Sequence, residues 1–222
     1  MLDFSLPQKI AIWALPVLFA ITVHEVAHGY VASRLGDRTA QMMGRLTLNP
    51  LKHIDPIGTV LVPLVMLLLP GGFLFGWAKP VPIGYRNLNN PKRDMAIVAA
   101  AGPLSNLLMA IGWALLLRLS VAFLQSMPWA AQPLFFMAQA GIAINLILMV
   151  LNLVPVPPLD GGRVLTGLLP MPQAARFAAI EPYGLMIVVA LLVSGVLGRL
   201  LQPAIGLFNE LLLTLVGLGG SA

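Results

Sequence analysis

The sequence predicts an all-α polytopic membrane protein with about five to six transmembrane helices, a re-entrant segment and a short strand pair near the membrane surface. Three observations lead there. Hydrophobic residues make up 59% of the 222 and charged residues only 9%, against about 25% charged in a typical soluble domain. Mean hydropathy is +0.90. The apolar residues come in uncharged runs, several of them near the roughly 20 residues a helix needs to cross a bilayer. The net charge of +5 is therefore no nucleic-acid signal; in a membrane protein, basic residues mainly report orientation. With no cysteine, neither a disulfide framework nor a thiolate metal site can form. The runs leave no space for a separate soluble unit. Residues 1–222 read as one membrane domain, with a core at about 9–165 and C-terminal helices at about 183–218.

Residues 9–33 are the first spanning helix, with Pro16 inside it and Arg34-Leu-Gly-Asp-Arg38 as its stop. The leading MLDFSLPQKI lacks the basic start and the small-residue cleavage site of a signal peptide, so this helix is expected to be retained. Residues 37–55 alternate weakly around GRLTL and carry turn punctuation at Gly44 and Asn49-Pro50, which predicts the strand pair. Residues 56–76 are apolar but broken by Pro63 and Pro70-Gly71-Gly72, so they either span or dip in and return. Residues 77–93 form a polar loop with four basic residues, and 94–119 span again. The loop 120–133 has no Lys or Arg, and 134–154 span with Asn145 and Asn152 on one face. A break at Val154-Pro-Val-Pro-Pro-Leu-Asp-Gly-Gly162 is followed by a short amphipathic piece, then by apolar helices at 183–199 and 203–218.

The stretch that organises the rest is Ile21-Thr-Val-His-Glu-Val-Ala-His-Gly29, inside the first helix. His24 and His28 are four residues apart and so share a helix face. Two imidazoles on one face suit a tetrahedral zinc, and Glu25 beside them is placed to take a proton from an activated water. An ionisable cluster in an apolar run is costly unless it is paired or bound to metal, which makes it a functional site by default. The bland alternative is a buried His/Glu cluster that only links helices.

A zinc site of this kind needs a third protein ligand. Asp160 stands out, because three prolines precede it within a few residues and two glycines follow. Irregular backbone at membrane depth is tolerated only where it is buried in protein or lines a cavity. Asp160 could instead cap the helix after it; the histidines in need of a partner favour the ligand reading. His53, in a turn-rich basic loop, is the other candidate.

This choice constrains topology. His28 lies six residues before Arg34, about 9 Å from the helix end, and Asp160 lies just past the end of the fourth apolar segment. Both reach one metal only if those ends face the same side. A re-entrant 56–76 satisfies that. It also puts Arg34, Arg38, Arg45, Lys52, Lys79, Arg86, Lys92, Arg93, Arg163 and Arg176 on one side, with the uncharged loop 120–133 on the other. That is the positive-inside pattern, with the zinc nearer the cytoplasm.

At these residues the chain resembles the site-2 protease family of intramembrane zinc metalloproteases. The resemblance rests on His24-Glu25-x-x-His28, on Asn152-x-x-Pro-x-Pro-x-Leu-Asp160-Gly161, and on Gly102-Pro103-x-x-Asn106 between them. Gly44-Arg-Leu-Thr-Leu-Asn-Pro50 and Gly76-Trp-Ala-Lys-Pro-Val-Pro82 are similar to its compact prokaryotic branch, without the peptide-binding or nucleotide-sensing domains of larger members. The resemblance covers roughly residues 18–165. It implies His24, His28 and Asp160 as ligands of one Zn2+, Glu25 as catalytic base and Asn152 on the substrate backbone. We read Asn106 as a second substrate contact, with a helix-tying role as its alternative. Asn145 is read as a helix tie, Trp77 as an interfacial anchor, and the strand-like 39–48 as an edge for extended substrate. The implied substrate is a transmembrane helix of a membrane-bound regulatory protein, cut within or near the bilayer of a prokaryotic inner membrane. A zinc transporter is the main rival and a non-catalytic scaffold the third reading. A transporter would show repeats and polar residues at several depths, and a scaffold has no use for Glu25.

Overall fold

The computed structural model describes residues 4–61 and 78–219. Helix α1 runs over Leu6–Arg34. Ser5 and Gln8 form a capping box at its start, which satisfies backbone donors the first turn leaves open. It stops where Gly36 takes a φ of +109°, a conformation glycine adopts without a Cβ penalty. A one-turn helix α2 follows at Thr39–Met42, then 3-10 turns at Pro50–Lys52 and Tyr85–Asn87 and a π-helical turn at Pro56–Leu61. Helix α3 is Pro91–Phe123 and α4 is Pro128–Asn152. The remainder is α5 Asp160–Leu168, α6 Met171–Ala178, α7 Glu181–Val193 and α8 Val196–Leu215.

Among the described residues, four helices are long and apolar enough to cross a membrane: Pro7–Arg34, Pro91–Phe123, Pro128–Asn152 and Val196–Leu215. The pair α6 and α7, bent by 61°, makes a fifth if it acts as one broken span. Helix α1 packs on α3 and α4, and α8 packs on α4 and touches α3. Small residues let these helices approach, the usual device where lipid gives no hydrophobic drive to association. Gly141 of α4 lies against the ring of Trp113 of α3, where a Cβ would sit 2.3 Å from Cδ2. Around that contact Ala110, Ala114, Leu117, Ala138, Ile142, Leu146 and Leu212 form the main buried cluster. Outward residues such as Leu104, Leu108, Leu115 and Leu119 of α3 stay exposed, as a lipid-facing surface requires.

One end of the bundle gathers the polar loops. Asn89 N donates to the Leu35 carbonyl at 2.9 Å, so the chain leaves α1 and enters α3 at the same end. Asp37, fully buried, accepts from Thr39 N, Thr39 Oγ1, Gly84 N and Asn87 Nδ2. Lys92 Nζ bonds the Leu169 carbonyl, bringing the C-terminus of α5 to this end as well.

Several expectations change. The strand pair in 37–55 is not formed, and no strand occurs among the described residues. Asp37 captures Thr39 N and Oγ1 and starts the α2 turn, and farther on Thr47 Oγ1 accepts from Asn49 N; local side-chain bonds of this sort outcompete weak alternation. The region 39–48 therefore offers no strand edge. The break placed at Arg199–Pro203 falls instead at Ser194-Gly195, where Gly195 has φ +72°, and Pro203 lies inside α8. The loop 120–133 shrinks to 124–127, because α4 begins at Pro128. The re-entrant segment at 56–76 falls mostly outside the described residues.

Candidate metal centre

His24 and His28 sit on the face of α1 that meets α3, and both are buried. Helix α3 can pass this close because residue 102 is glycine: a Cβ there would lie 2.4 Å from His28 Nε2 and 2.5 Å from His24 Cε1. Asp160 arrives as the first residue of α5. The chain turns sharply there, and Gly161 and Gly162 make the turn possible. Cβ atoms at these positions would lie 2.3 Å from the Leu153 carbonyl oxygen and 2.4 Å from Pro157 N. The N-cap position belongs to Leu159, so the Asp160 carboxylate does not cap the helix.

Three ligand atoms converge. His24 Nε2 and His28 Nε2 are 3.0 Å apart, and Asp160 Oδ2 lies 3.2 Å from the first and 3.3 Å from the second. The far side of each ring fixes its tautomer. His28 Nδ1 lies 2.7 Å from the Val98 carbonyl, which can only accept, so Nδ1 carries the hydrogen. His24 Nδ1 donates likewise to Asn106 Oδ1 at 2.6 Å. In the neutral rings both Nε2 atoms therefore present lone pairs to each other and to a carboxylate oxygen.

Three lone pairs crowded together repel unless a cation lies between them. Asp160 Oδ2 is buried and accepts no hydrogen bond. Tetrahedral zinc holds nitrogen and oxygen ligands at about 2.0–2.1 Å, which puts neighbouring ligands about 3.3 Å apart. The observed spacings match that edge to within a few tenths of an ångström. The donor set, with no thiolate and two imidazoles oriented by hydrogen bonds to carbonyl oxygens, fits zinc and leaves a fourth position open.

Among the described residues, His24, His28 and Asp160 form the one group of three or more such side chains close enough to hold a metal. His53 is elsewhere, buried and donating from Nε2 to the Thr47 carbonyl. Glu25 is half-buried and turns its carboxylate to Val81, whose N–H reaches Oε2 at 2.8 Å. Asn106 is fully buried, with both ends of its amide occupied: Oδ1 on His24, and Nδ2 on Asn145 Oδ1 at 2.9 Å. By accepting that bond Asn145 ties α3 to α4, and it donates onward to the Gly141 carbonyl of its own helix. Asn152 is half-buried at the end of α4; Nδ2 donates to the Leu148 carbonyl, and Oδ1 has no partner among the described residues. Sequence reasoning did not single out the Val98 carbonyl or the Val81 N–H, since backbone groups leave no residue-type signal. The space-making role of Gly102 was legible only as part of a motif.

The model of peptidase family M50 matches residues 119–195, the segment with Asn152 and Asp160. "Putative zinc metalloprotease YwhC" of Bacillus subtilis is 37% identical over 200 residues, 90% of this chain and 88% of that one. "Putative zinc metalloprotease Rip2" of Mycolicibacterium smegmatis is 35% identical over 82% of this chain and 66% of its own. Its namesake in Mycobacterium tuberculosis is 30% identical over 75% of this chain and 54% of its own. No solved structure matches the chain. With a relative aligned along nearly the whole of both chains and the family model matched across the second motif, the chain belongs to peptidase family M50, the site-2 protease family of intramembrane zinc metalloproteases.

Proposed function

We propose that His24, His28 and Asp160 hold one zinc ion, and that Glu25 is the general base for hydrolysis of a peptide bond within or near a transmembrane helix of a membrane-bound regulatory protein. The observation that carries this is the convergence of two Nε2 lone pairs and one unpartnered carboxylate oxygen at 3.0–3.3 Å. Zinc bound there supplies Lewis acidity toward the scissile carbonyl and brings the pKa of water toward about 7. Glu25 takes a proton from the attacking water and passes it to the leaving amine nitrogen. Asn106 and the Val98 carbonyl hold the two imidazoles in the tautomer that leaves Nε2 unprotonated.

A substrate helix must unwind before its peptide bond is reachable, and each backbone group so freed needs a partner in lipid. Asn152 is suited to that task, because its Oδ1 is left to accept a substrate N–H. The gathering of the basic loops at one end of the bundle supports an inner-membrane protein with the site nearer the cytoplasm. Family membership gives the transporter and scaffold readings no support.

The experiment is cleavage of a model transmembrane substrate by the purified protein beside Glu25→Gln, with zinc quantified in both. We expect about one zinc per chain in each and no cleavage by the variant. Cleavage by Glu25→Gln at the wild-type rate would refute the assignment of the base.

A further inference from the structure

The extended stretch from Lys79 to Gly84 lies against the face of α1 that carries Glu25, and side chains from three other places hold its backbone. Arg45 Nη2 donates to the Lys79 carbonyl at 2.9 Å and to the Pro80 carbonyl at 3.4 Å. Val81 N donates to Glu25 Oε2 at 2.8 Å, and Gly84 N to Asp37 Oδ2 at 2.6 Å. The sequence explains why Val81 is the donor. Pro80 and Pro82 flank it, have no N–H, and bias the chain toward extended backbone. Val81 therefore has the single N–H of residues 80–82, and Glu25 takes it. Gly29, one turn after Glu25 on the same face, gives the stretch its seat: a Cβ there would lie 2.8 Å from Val81 Cγ1 and 2.6 Å from Leu46 Cδ2.

Arg45 is the unusual member. It is buried, its Nε has no hydrogen-bond partner, and no carboxylate pairs with it among the described residues. A buried guanidinium that has, among the described residues, just two backbone carbonyls to hold it is costly, which sets it apart from ordinary packing. We infer that Arg45 is a positioning residue for the proteolytic reaction: it holds the 79–81 backbone so that the Val81 N–H fixes the Glu25 carboxylate. With Oε2 held, Oε1 has no partner among the described residues and is the oxygen left for the proton of the attacking water. The inference rests on the reading of Glu25 as the base. It predicts that Arg45 acts on turnover through Val81, without touching substrate or metal.

The test is a double-mutant cycle with Arg45→Met, Val81→Pro and the pair, in full-length protein on a model transmembrane substrate, with kcat, KM and bound zinc measured. Val81→Pro deletes the N–H and keeps an extended path. Each single variant is expected to lower kcat about ten- to a hundredfold, the range for a misplaced catalytic group. KM should stay within about twofold and zinc near one per chain, and the pair should be no slower than the slower single. Arg45→Lys, which can still donate to the Lys79 carbonyl, should recover part of the loss. If Arg45→Met does not fold, Arg45→Lys with Val81→Pro runs the same cycle. Multiplying losses in the pair, a rise in KM at constant kcat, loss of zinc, an unchanged rate, or a faster enzyme would each overturn the inference; the last would make the stretch a restraint on Glu25. Glu25→Gln run in parallel separates the two readings. If it cuts normally, the base assignment has failed. If it is inactive while Arg45→Met is unaffected, only the positioning role has failed.

Discussion

A methyl group on residue 102 would press into both imidazoles at once, 2.4 Å from His28 Nε2 and 2.5 Å from His24 Cε1. Neither ring can retreat, because each is pinned on its far side. We therefore expect Gly102→Ala to fold with its helix content intact but to hold well under one zinc per chain, as circular dichroism and metal analysis of the same sample would show. Normal zinc content in that variant would contradict the close approach of α3. Asn106→Ala acts more gently. It removes the acceptor of the His24 Nδ1 hydrogen, and loss of such an outer partner typically costs about 10–100-fold in metal affinity. A chelator competition should resolve that shift. The His-Glu-x-x-His pattern made the ligands legible in sequence, whereas the partners of their far nitrogens come from α3, some 70 and 82 residues along the chain.

Between elements, Asp37 is the main tie, joining the end of α1 to α2 and to the 84–87 turn. Burial alone would push its carboxyl up, but hydrogen bonds from Thr39, Asn87 and Gly84 outweigh that and hold it below the usual carboxylate range. A depressed folded-state value means that this stabilisation is fully present above the unfolded value of about 4 and is lost as pH falls through the lower folded value. Thermal unfolding of the detergent-solubilised protein should thus show a falling Tm in acid, and Asp37→Asn should flatten that limb while lowering Tm at neutral pH. Equal acid sensitivity in both would show that Asp37 does not supply it. This element also shows why the strand reading of 37–55 failed: GRLTL alternates, but local side-chain bonds made by Asp37 ahead of it and by Thr47 within it decide the path.

For the whole molecule, the positive-inside pattern predicts which end faces the cytoplasm. The chain has no cysteine, so single cysteines can report it. Ser126, exposed in the short turn between α3 and α4, and Gln41, exposed at α2, lie at opposite ends of α3. We expect Ser126→Cys to react with an impermeant maleimide on intact bacterial cells lacking an outer-membrane barrier, and Gln41→Cys only after permeabilisation. The reverse pattern would put the zinc on the outer side and refute the positive-inside reading.

By itself, the sequence determined that the chain is helical and membrane-embedded, and it named His24, Glu25, His28 and Asp160 as the chemistry to examine. Composition, apolar run length and helical spacing are local properties, and bilayer thickness and the helix repeat fix what they mean. Only the tertiary structure decided that Asp160 reaches the two histidines across more than 130 residues, that Gly102 makes the room, and that Val81 meets Glu25. Those outcomes depend on which helix faces pack together and on where backbone N–H and carbonyl groups end. Every residue carries the same backbone groups, so residue identity cannot announce which of them will be used.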